Sequence, residues 1–149
     1  LGLVAFVLLF FLAMLPYGGS TGSMAASLAL SLFIGALLAA CYLYRPLRYE
    51  IEDGYLRIVR PISTISIPIS DIEQVQLLQE TEMKGTVRTF GNGGLFGYYG
   101  RFWNTRLGHM RWYAPRRDNY VAVITSSHTY ILTPDDTSLA RALQAEARF

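Results

Sequence analysis

The sequence predicts an α+β protein in which an N-terminal transmembrane helical hairpin precedes a small β-barrel or sandwich capped by a C-terminal α-helix. The 149 residues include 13 basic and 11 acidic side chains, and none of these lies before Arg45. From Tyr49 onward, short runs of alternating polarity are separated by turn-forming residues, a pattern typical of strands. We therefore assign residues 1–44 to the hairpin and residues 45–149 to the β domain.

The uncharged part consists of two apolar segments, about 1–17 and 24–44, which are separated by a cluster of turn formers. A helix that crosses a bilayer needs roughly 17–25 apolar residues, so the second segment is long enough. The first segment is short as given and starts without Met, so we expect either that the chain begins inside a longer first helix or that its start was trimmed. Small residues recur every four positions in the second segment and predict a packing face: Ser27, Ser31 and Gly35.

Basic residues next to the second segment predict its orientation. Arg45 and Arg48 follow it closely, whereas the turn between the two segments carries no charge. Because basic residues that flank a membrane helix stay in the cytoplasm, we expect both termini on the cytoplasmic side of a bacterial inner membrane. Leu38 to Cys41 offer an alternative, since Leu-Ala-Ala-Cys resembles the site at which bacterial lipoproteins are cleaved and lipidated at the Cys.

The β domain is expected to start directly after the second helix. Residues 49–52 and 55–60 form a hairpin in this interpretation, because Asp53-Gly54 is a strong two-residue turn. Residues 65–69 alternate with Pro68 among them, which predicts an edge strand, since proline cannot donate a ladder hydrogen bond. A further strand is expected within residues 71–78.

The second half of the domain contains a run of glycines and aromatics from Phe90 to Trp103, which cannot form a stable helix. Strands are predicted at 107–113, 120–125 and 129–133, the last two joined by a loop at 126–128. About seven strands are expected in all.

A C-terminal helix is predicted at 134–148. Thr133 is a good N-cap, Pro134 suits the first helical position, and Asp136 stands where a capping box places an acid. The apolar stripe that should face the core consists of Leu139, Ala142, Leu143 and Ala147.

Three segments of the domain carry a resemblance to a known family: Gly93 to Phe102, Val121 to Thr125, and Tyr130 to Asp135. Together with a β domain closed by one helix, they resemble bacterial pleckstrin-homology-like (PH-like) domains, and the likeness extends from about Tyr49 to the end. The resemblance implies the PH-like fold and anchoring by one or two N-terminal membrane helices. It implies no agreed ligand and no catalytic residues.

No catalytic or cofactor-binding constellation is visible in the sequence. His109 and His128 lack partners at metal-ligand spacing, and the single cysteine, Cys41, lies in the predicted membrane helix. The glycine run lacks the Lys-Ser or Lys-Thr of a phosphate-binding loop, because Tyr99-Gly100-Arg101 stands at its end. We therefore expect no cofactor, no metal and no enzymatic activity.

An arginine- and aromatic-rich stretch provides the candidate contact residues for lipid or a partner. The loop aromatics can touch lipid headgroups, or the turn can instead pack inward through Leu95, Phe96 and Phe102. The arginines can bind anionic headgroups, or they can form a solvated strand face. The candidates are Phe96, Tyr98, Tyr99, Arg101, Trp103, Arg106, Arg111, Trp112, Arg116 and Arg117.

The function predicted from these features is a membrane-anchored binding or scaffolding module without catalytic activity. It would present its β domain to a protein partner or to anionic lipid headgroups, and it could also self-associate. The alternative is an accessory subunit of a larger membrane enzyme or transporter. A net charge of only +2 and the membrane tether argue against nucleic acid as a partner.

Overall fold

The computed structural model describes residues 21–135 and 137–147. The chain divides into two compact units, with the boundary between Ala40 and Cys41. The first predicted membrane segment, 1–17, lies outside the described residues, and the structure therefore describes one apolar helix, at the position of the second predicted segment.

Helix α1 runs over Thr21–Leu43 and carries no charged side chain. Within it, Met24–Leu43 form a stretch of 20 residues with a mean hydropathy of 2.2, none of it buried in the structure. In the part of the chain that the structure describes, α1 alone has the length and composition of a membrane-crossing helix. A membrane anchor and a signal sequence both meet this description.

The predicted turn between the two apolar segments extends too far toward the C-terminus, because the helix begins at Thr21 and not at about residue 24. Thr21 and the two residues after it are helical, because a single Gly costs only about 1 kcal/mol in a helix and does not end it.

A three-stranded antiparallel sheet follows α1, with strands β1 (Arg48–Glu52), β2 (Tyr55–Val59) and β3 (Thr64–Pro68) in that order. The predicted Asp53-Gly54 hairpin is confirmed, since Glu52 pairs with Tyr55 across the turn and both turn residues have positive φ. The prediction of an edge strand with Pro68 is also confirmed, because β3 lies at the border of this sheet.

A second sheet has six strands in the order β4-β8-β9-β7-β6-β5. All neighbours are antiparallel except β7 and β9, which run parallel. The strands are β4 (Ile72–Leu78), β5 (Val87–Gly93), β6 (Tyr98–Asn104), β7 (Gly108–Ala114), β8 (Tyr120–Thr125) and β9 (Thr129–Leu132).

The prediction of a small β-barrel or sandwich with about seven strands is confirmed only in part. The glycine–aromatic run contributes two strands, β5 and β6, which raises the number of described strands to nine. The described strands also form two separate sheets and no closed barrel, with β4 and β5 at the edges of the larger one. Pro68 and the 3₁₀ turn Ile69–Asp71 separate the sheets, since they redirect the chain between β3 and β4.

The core consists of two apolar clusters. The first includes Leu56 and Ile58 of β2 together with Val121 and Val123 of β8, so the two sheets pack against each other there. The second cluster is built around Trp112 on the other side of the six-stranded sheet. Strand β8 contributes to both clusters through alternate residues, and it is therefore buried on both faces.

Tyr49 ties the two sheets together with polar contacts. Its hydroxyl donates to the backbone carbonyl of Tyr113 and accepts from the backbone N–H of Thr133 at 3.1 Å. Burial raises the pKa of Tyr49 to about 12, although the hydrogen bond from Thr133 acts in the opposite direction.

Helix α2 runs over Ser138–Glu146 and begins later than the predicted residue 134. Thr133 is buried and its hydroxyl accepts from the backbone N–H of Arg116, so it does not serve as an N-cap. The predicted stripe faces the core, because Leu143 is fully buried and Leu139 and Ala147 pack against the first cluster. Ala140, which the prediction did not include, is buried as well. Gln144 is exposed, and its side-chain amide donates to the backbone carbonyl of Val75 at 3.0 Å.

Candidate binding surface

Strands β5, β6 and β7 present one exposed face, because directly opposed residues of antiparallel strands point to the same side. Phe90 is opposite Arg101, and Arg101 is opposite Arg111. We call this surface the β5–β7 face and define it as Val87, Phe90, Tyr99, Arg101, Trp103, His109 and Arg111.

Large apolar side chains on the β5–β7 face are unusually exposed. Phe90 is 76% exposed, Val87 58% and Trp103 38%. An exposed apolar cluster of this kind, interspersed with basic side chains, is typical of a site of interaction with a membrane or a protein.

The two arginines on this face are not neutralised by any acidic residue that the structure describes. Neither Arg101 nor Arg111 forms an ion pair with the carboxylates in 21–135 and 137–147. Since like charges directly opposite each other in a sheet are destabilising, a bound anion would stabilise this pair.

The turn between β5 and β6 contacts the chain where α1 ends. The Tyr99 hydroxyl donates to the backbone carbonyl of Cys41 at 2.6 Å and accepts from the side-chain amide of Asn92 at 3.0 Å. Phe96 packs edge-on against Tyr42, with ring centroids 5.6 Å apart. Burial raises the pKa of Tyr99, which keeps its hydroxyl protonated as a donor. The residues 41 and 42 thus belong to the same compact unit as the β5–β7 face.

Two glycines allow the backbones of β5 and β6 to approach closely. Gly91 and Gly100 are directly opposite each other, and both have positive φ, at 115° and 129°. A Cβ on Gly91 would lie 2.7 Å from the Cα of Gly100, and a Cβ on Gly100 would lie 2.8 Å from the Cα of Gly91. These two glycines therefore allow the strands to pair where side chains would keep the backbones apart.

The structure separates the ten predicted contact residues. Arg101, Trp103 and Arg111 share the β5–β7 face, with Tyr99 beside them. Phe96 is 38% exposed and contacts Tyr42, so it does not pack inward as the alternative interpretation required, whereas Phe102 is buried.

The other predicted residues lie elsewhere. Trp112 belongs to the second core cluster and stacks on Phe102, with ring centroids 4.5 Å apart. It is therefore a buried residue and not a surface contact, because neighbours along a strand point to opposite sides and Arg111 is on the exposed side. Arg117 lies over the ring of Tyr98 at 4.9 Å on that same side of the sheet.

Two of the predicted arginines are engaged in ion pairs. Arg106 contacts Glu82 at 2.7 Å, and Arg116 contacts Asp118 at 3.0 Å and Asp135 at 2.8 Å. Their charges are therefore already compensated within the domain.

Sequence reasoning missed Val87 and Phe90, the two most exposed apolar residues of the β5–β7 face. A bulge between Arg88 and Phe90 shifts the register of β5, so simple alternation cannot place both residues on one side. The signal in the sequence that could have identified Phe90 is its position directly before the glycine run.

Among residues 21–135 and 137–147, no group of three or more metal-ligating side chains comes together. A cavity of about 310 Å³ does lie on the side of β6 and β7 that carries the two arginines. It is lined by Arg101, His109, Met110, Arg111 and His128.

Comparison with known protein families identifies the family of the β domain. A family model described as "Bacterial PH domain" matches residues 47–146, which is about two thirds of the chain. Neither the search of curated proteins nor that of solved structures gives a significant match.

Proposed function

The chain belongs to the bacterial PH domain family, and from this premise we propose that it is a non-catalytic binding module anchored in the bacterial cytoplasmic membrane by α1. Domains of this kind are generally binding modules. In this proposal the β5–β7 face is the binding surface, and it contacts the anionic lipid headgroups around the anchor.

The contact between Tyr99 and Cys41 carries the proposal. Cys41 lies in the last turn of the stretch Met24–Leu43, which has the length and hydropathy of a membrane span. If that stretch crosses the bilayer, its last turn lies near the water interface, and the β5–β6 turn that contacts it lies there too. Tyr42 and Phe96 then occupy the depth at which aromatic side chains are favourable.

The composition of the face supports lipid as its partner. Phe90 and Trp103 offer apolar surface to the acyl–headgroup boundary, and Arg101 and Arg111 offer uncompensated positive charge. Each basic residue near an anionic leaflet contributes about 1 kcal/mol of attraction. The two arginines therefore favour an anionic over a zwitterionic surface.

Arginines after α1 support a cytoplasmic location for the domain. Arg45 stacks on Tyr42 with its guanidinium 4.1 Å from the ring centroid, and Arg60 lies 5.5 Å from that of Tyr44. Basic residues at the end of a membrane helix favour the cytoplasmic side. The alternative is a lipoprotein that is anchored through a lipid on Cys41. The thiol of Cys41 is free and half-buried.

Tryptophan quenching in vesicles tests the proposal, because the chain has two tryptophans and only Trp103 is on the face. We expect lipids brominated close to the headgroup to quench the full chain in anionic vesicles much more than in zwitterionic ones. Trp112→Phe, which keeps a ring to stack on Phe102, should retain this quenching, and Trp103→Phe should lose it.

Charge reversal supplies the matched control. Arg101→Glu and Arg111→Glu should each reduce the quenching in anionic vesicles, whereas Arg141→Glu should not, because Arg141 is exposed on α2, which packs against β4. Equal quenching of the parent in anionic and zwitterionic vesicles, or no effect of either face variant, would refute lipid contact through this face.

The accessory-subunit function and self-association stay predictions from the sequence. Mild detergent extraction followed by mass spectrometry separates them from the lipid-binding module. A second chain recovered in stoichiometric amount would favour an accessory subunit, and a dimer of this chain alone would indicate self-association.

A further inference from the structure

We infer that the cavity on β6 and β7 is a binding site for a single phosphomonoester group. It deepens the proposed function and rests on it for the source of the ligand, because the site shares Arg101 and Arg111 with the β5–β7 face. The cavity measures about 310 Å³, enough for a phosphate and part of the group that carries it.

The charge of the site favours a dianion. Arg101 and Arg111 are directly opposite each other on β6 and β7, and together they bring two positive charges to one side of the sheet. The residues that line the cavity include no carboxylate, and the described part of the chain supplies no ion pair to either arginine. A phosphomonoester carries close to two negative charges at neutral pH, whereas a phosphodiester carries one.

The donor geometry also favours phosphate. A guanidinium is a planar fork that matches two phosphate oxygens, so two opposed forks can engage the terminal oxygens from both sides. The third oxygen can accept from an imidazole, and both histidines of the chain, His109 and His128, line the same cavity. His128 is held in place by a contact of its Nδ1 with the Ser127 hydroxyl at 2.9 Å and by the Tyr130 ring at 6.0 Å.

The test uses the full chain in detergent and three probes: phosphatidic acid, which has a phosphomonoester headgroup, phosphatidylglycerol, which has a phosphodiester, and inorganic phosphate. Native mass spectrometry measures lipid binding, and calorimetry measures binding of phosphate. We expect phosphatidic acid to bind about tenfold or more tightly than phosphatidylglycerol, because it alone satisfies both arginine forks.

Three variants probe the geometry. Arg101→Gln combined with Arg111→Gln should remove the preference for phosphatidic acid. Arg101→Lys keeps the charge and loses the fork, so it should retain binding of phosphatidylglycerol but reduce the preference several-fold. Arg141→Gln should change neither quantity, and Trp112 fluorescence, read in a Trp103→Phe background, should report that all variants keep their core.

The outcomes distinguish the source of the ligand. Binding of phosphatidic acid without binding of inorganic phosphate indicates a lipid headgroup, and arginine-dependent binding of inorganic phosphate indicates that a soluble phosphomonoester is also accepted. Equal binding of the two lipids with no binding of phosphate would overturn the site. That result would leave the proposed membrane contact standing if Trp103 is still quenched in anionic vesicles, so the two proposals can fail separately.

Discussion

At the scale of single residues, the two-residue period of a strand decides which of the predicted contact residues lie together. Arg101 and Trp103 are two positions apart, so they share a face of β6 in any register, and both lie on the exposed side. The same alternation places Trp112 on the buried side next to Arg111, which a count of aromatic residues overlooks.

Charge compensation could not be read from the sequence. Arg106 is paired with Glu82, which is 24 positions earlier in the chain, and only the folded sheet brings the two together. Arg116 and Asp135 are likewise far apart in sequence and are brought together only by the fold. A local count of arginines therefore overestimates the free positive charge of this stretch.

The buried Tyr49 hydroxyl is expected to be a major polar contributor to stability. Tyr49→Phe leaves the Thr133 N–H and the Tyr113 carbonyl without this partner, so we expect a loss of about 1–3 kcal/mol in the free energy of unfolding. Denaturant unfolding of the detergent-solubilised chain, followed by tryptophan fluorescence, measures this loss. Tyr55→Phe, at an exposed position of β2, should have almost no effect.

Alkaline pH should act through the same hydroxyl. The pKa of Tyr49 is raised to about 12 in the folded state, against an ordinary value near 10. The contribution of the Tyr49 hydroxyl to the free energy of unfolding is therefore fully present below pH 10 and is lost as the pH rises toward 12. The difference in stability between the parent and Tyr49→Phe should narrow across this range, and a constant difference would contradict the role assigned to this hydroxyl.

At the scale of elements, strands with clear alternation and strong turns were predictable. The Asp53-Gly54 hairpin and the loop between β8 and β9 lie where the sequence places them. The strands β5 and β6 were not predictable, because glycine has a low strand propensity and the pairing of these strands depends on close contact between their backbones. The late start of α2 was missed because Thr133 is buried in a tertiary contact that competes with its capping role.

The closely approaching glycines give a prediction for this hairpin. Gly91→Ala and Gly100→Ala should each lower the free energy of unfolding by more than about 2 kcal/mol, because positive φ and a close backbone contact both oppose a Cβ. Thermal unfolding in detergent provides the measurement.

Gly85→Ala is the matched control for these variants. Gly85 has a φ of 77°, but a Cβ there meets nothing within 4 Å, so it carries only the conformational cost. Comparable losses at positions 85, 91 and 100 would show that the backbone contact contributes nothing.

At the scale of the whole molecule, the charge boundary at Arg45 predicted a two-helix hairpin over residues 1–44 and a β domain after it, and the described residues contain one apolar helix followed by β structure. It could not predict two separate sheets, because that arrangement depends on pairing between strands far apart in sequence. The family resemblance, in contrast, was carried by local motifs, and the family match confirms it.

Topology is the prediction that belongs to the whole chain. With basic residues clustered after α1, we expect a C-terminal reporter that works only in the cytoplasm to be active, and one that works only in the periplasm to be inactive. Replacing Arg45, Arg48, Arg57 and Arg60 together by Gln should lower the activity of the cytoplasmic reporter, because fewer basic residues then hold this end of α1 in the cytoplasm. Activity of the periplasmic reporter in the parent would reverse the assigned orientation.

The position of β9 has a consequence for how the domain folds. This four-residue strand alone joins the β4–β8 pair to the β5–β6–β7 meander, and it pairs with β7 in parallel. The meander consists of consecutive strands with short connections, so it can form early. Joining it through β9 to the β4–β8 pair should be slower, because the paired residues of β4 and β8, from Leu78–Tyr120 to Ile72–Thr125, are 42 to 53 positions apart. The face that carries Phe90, Arg101 and Trp103 is therefore expected to assemble before the rest of the sheet closes around it, and pulsed hydrogen exchange should show its amides protected first.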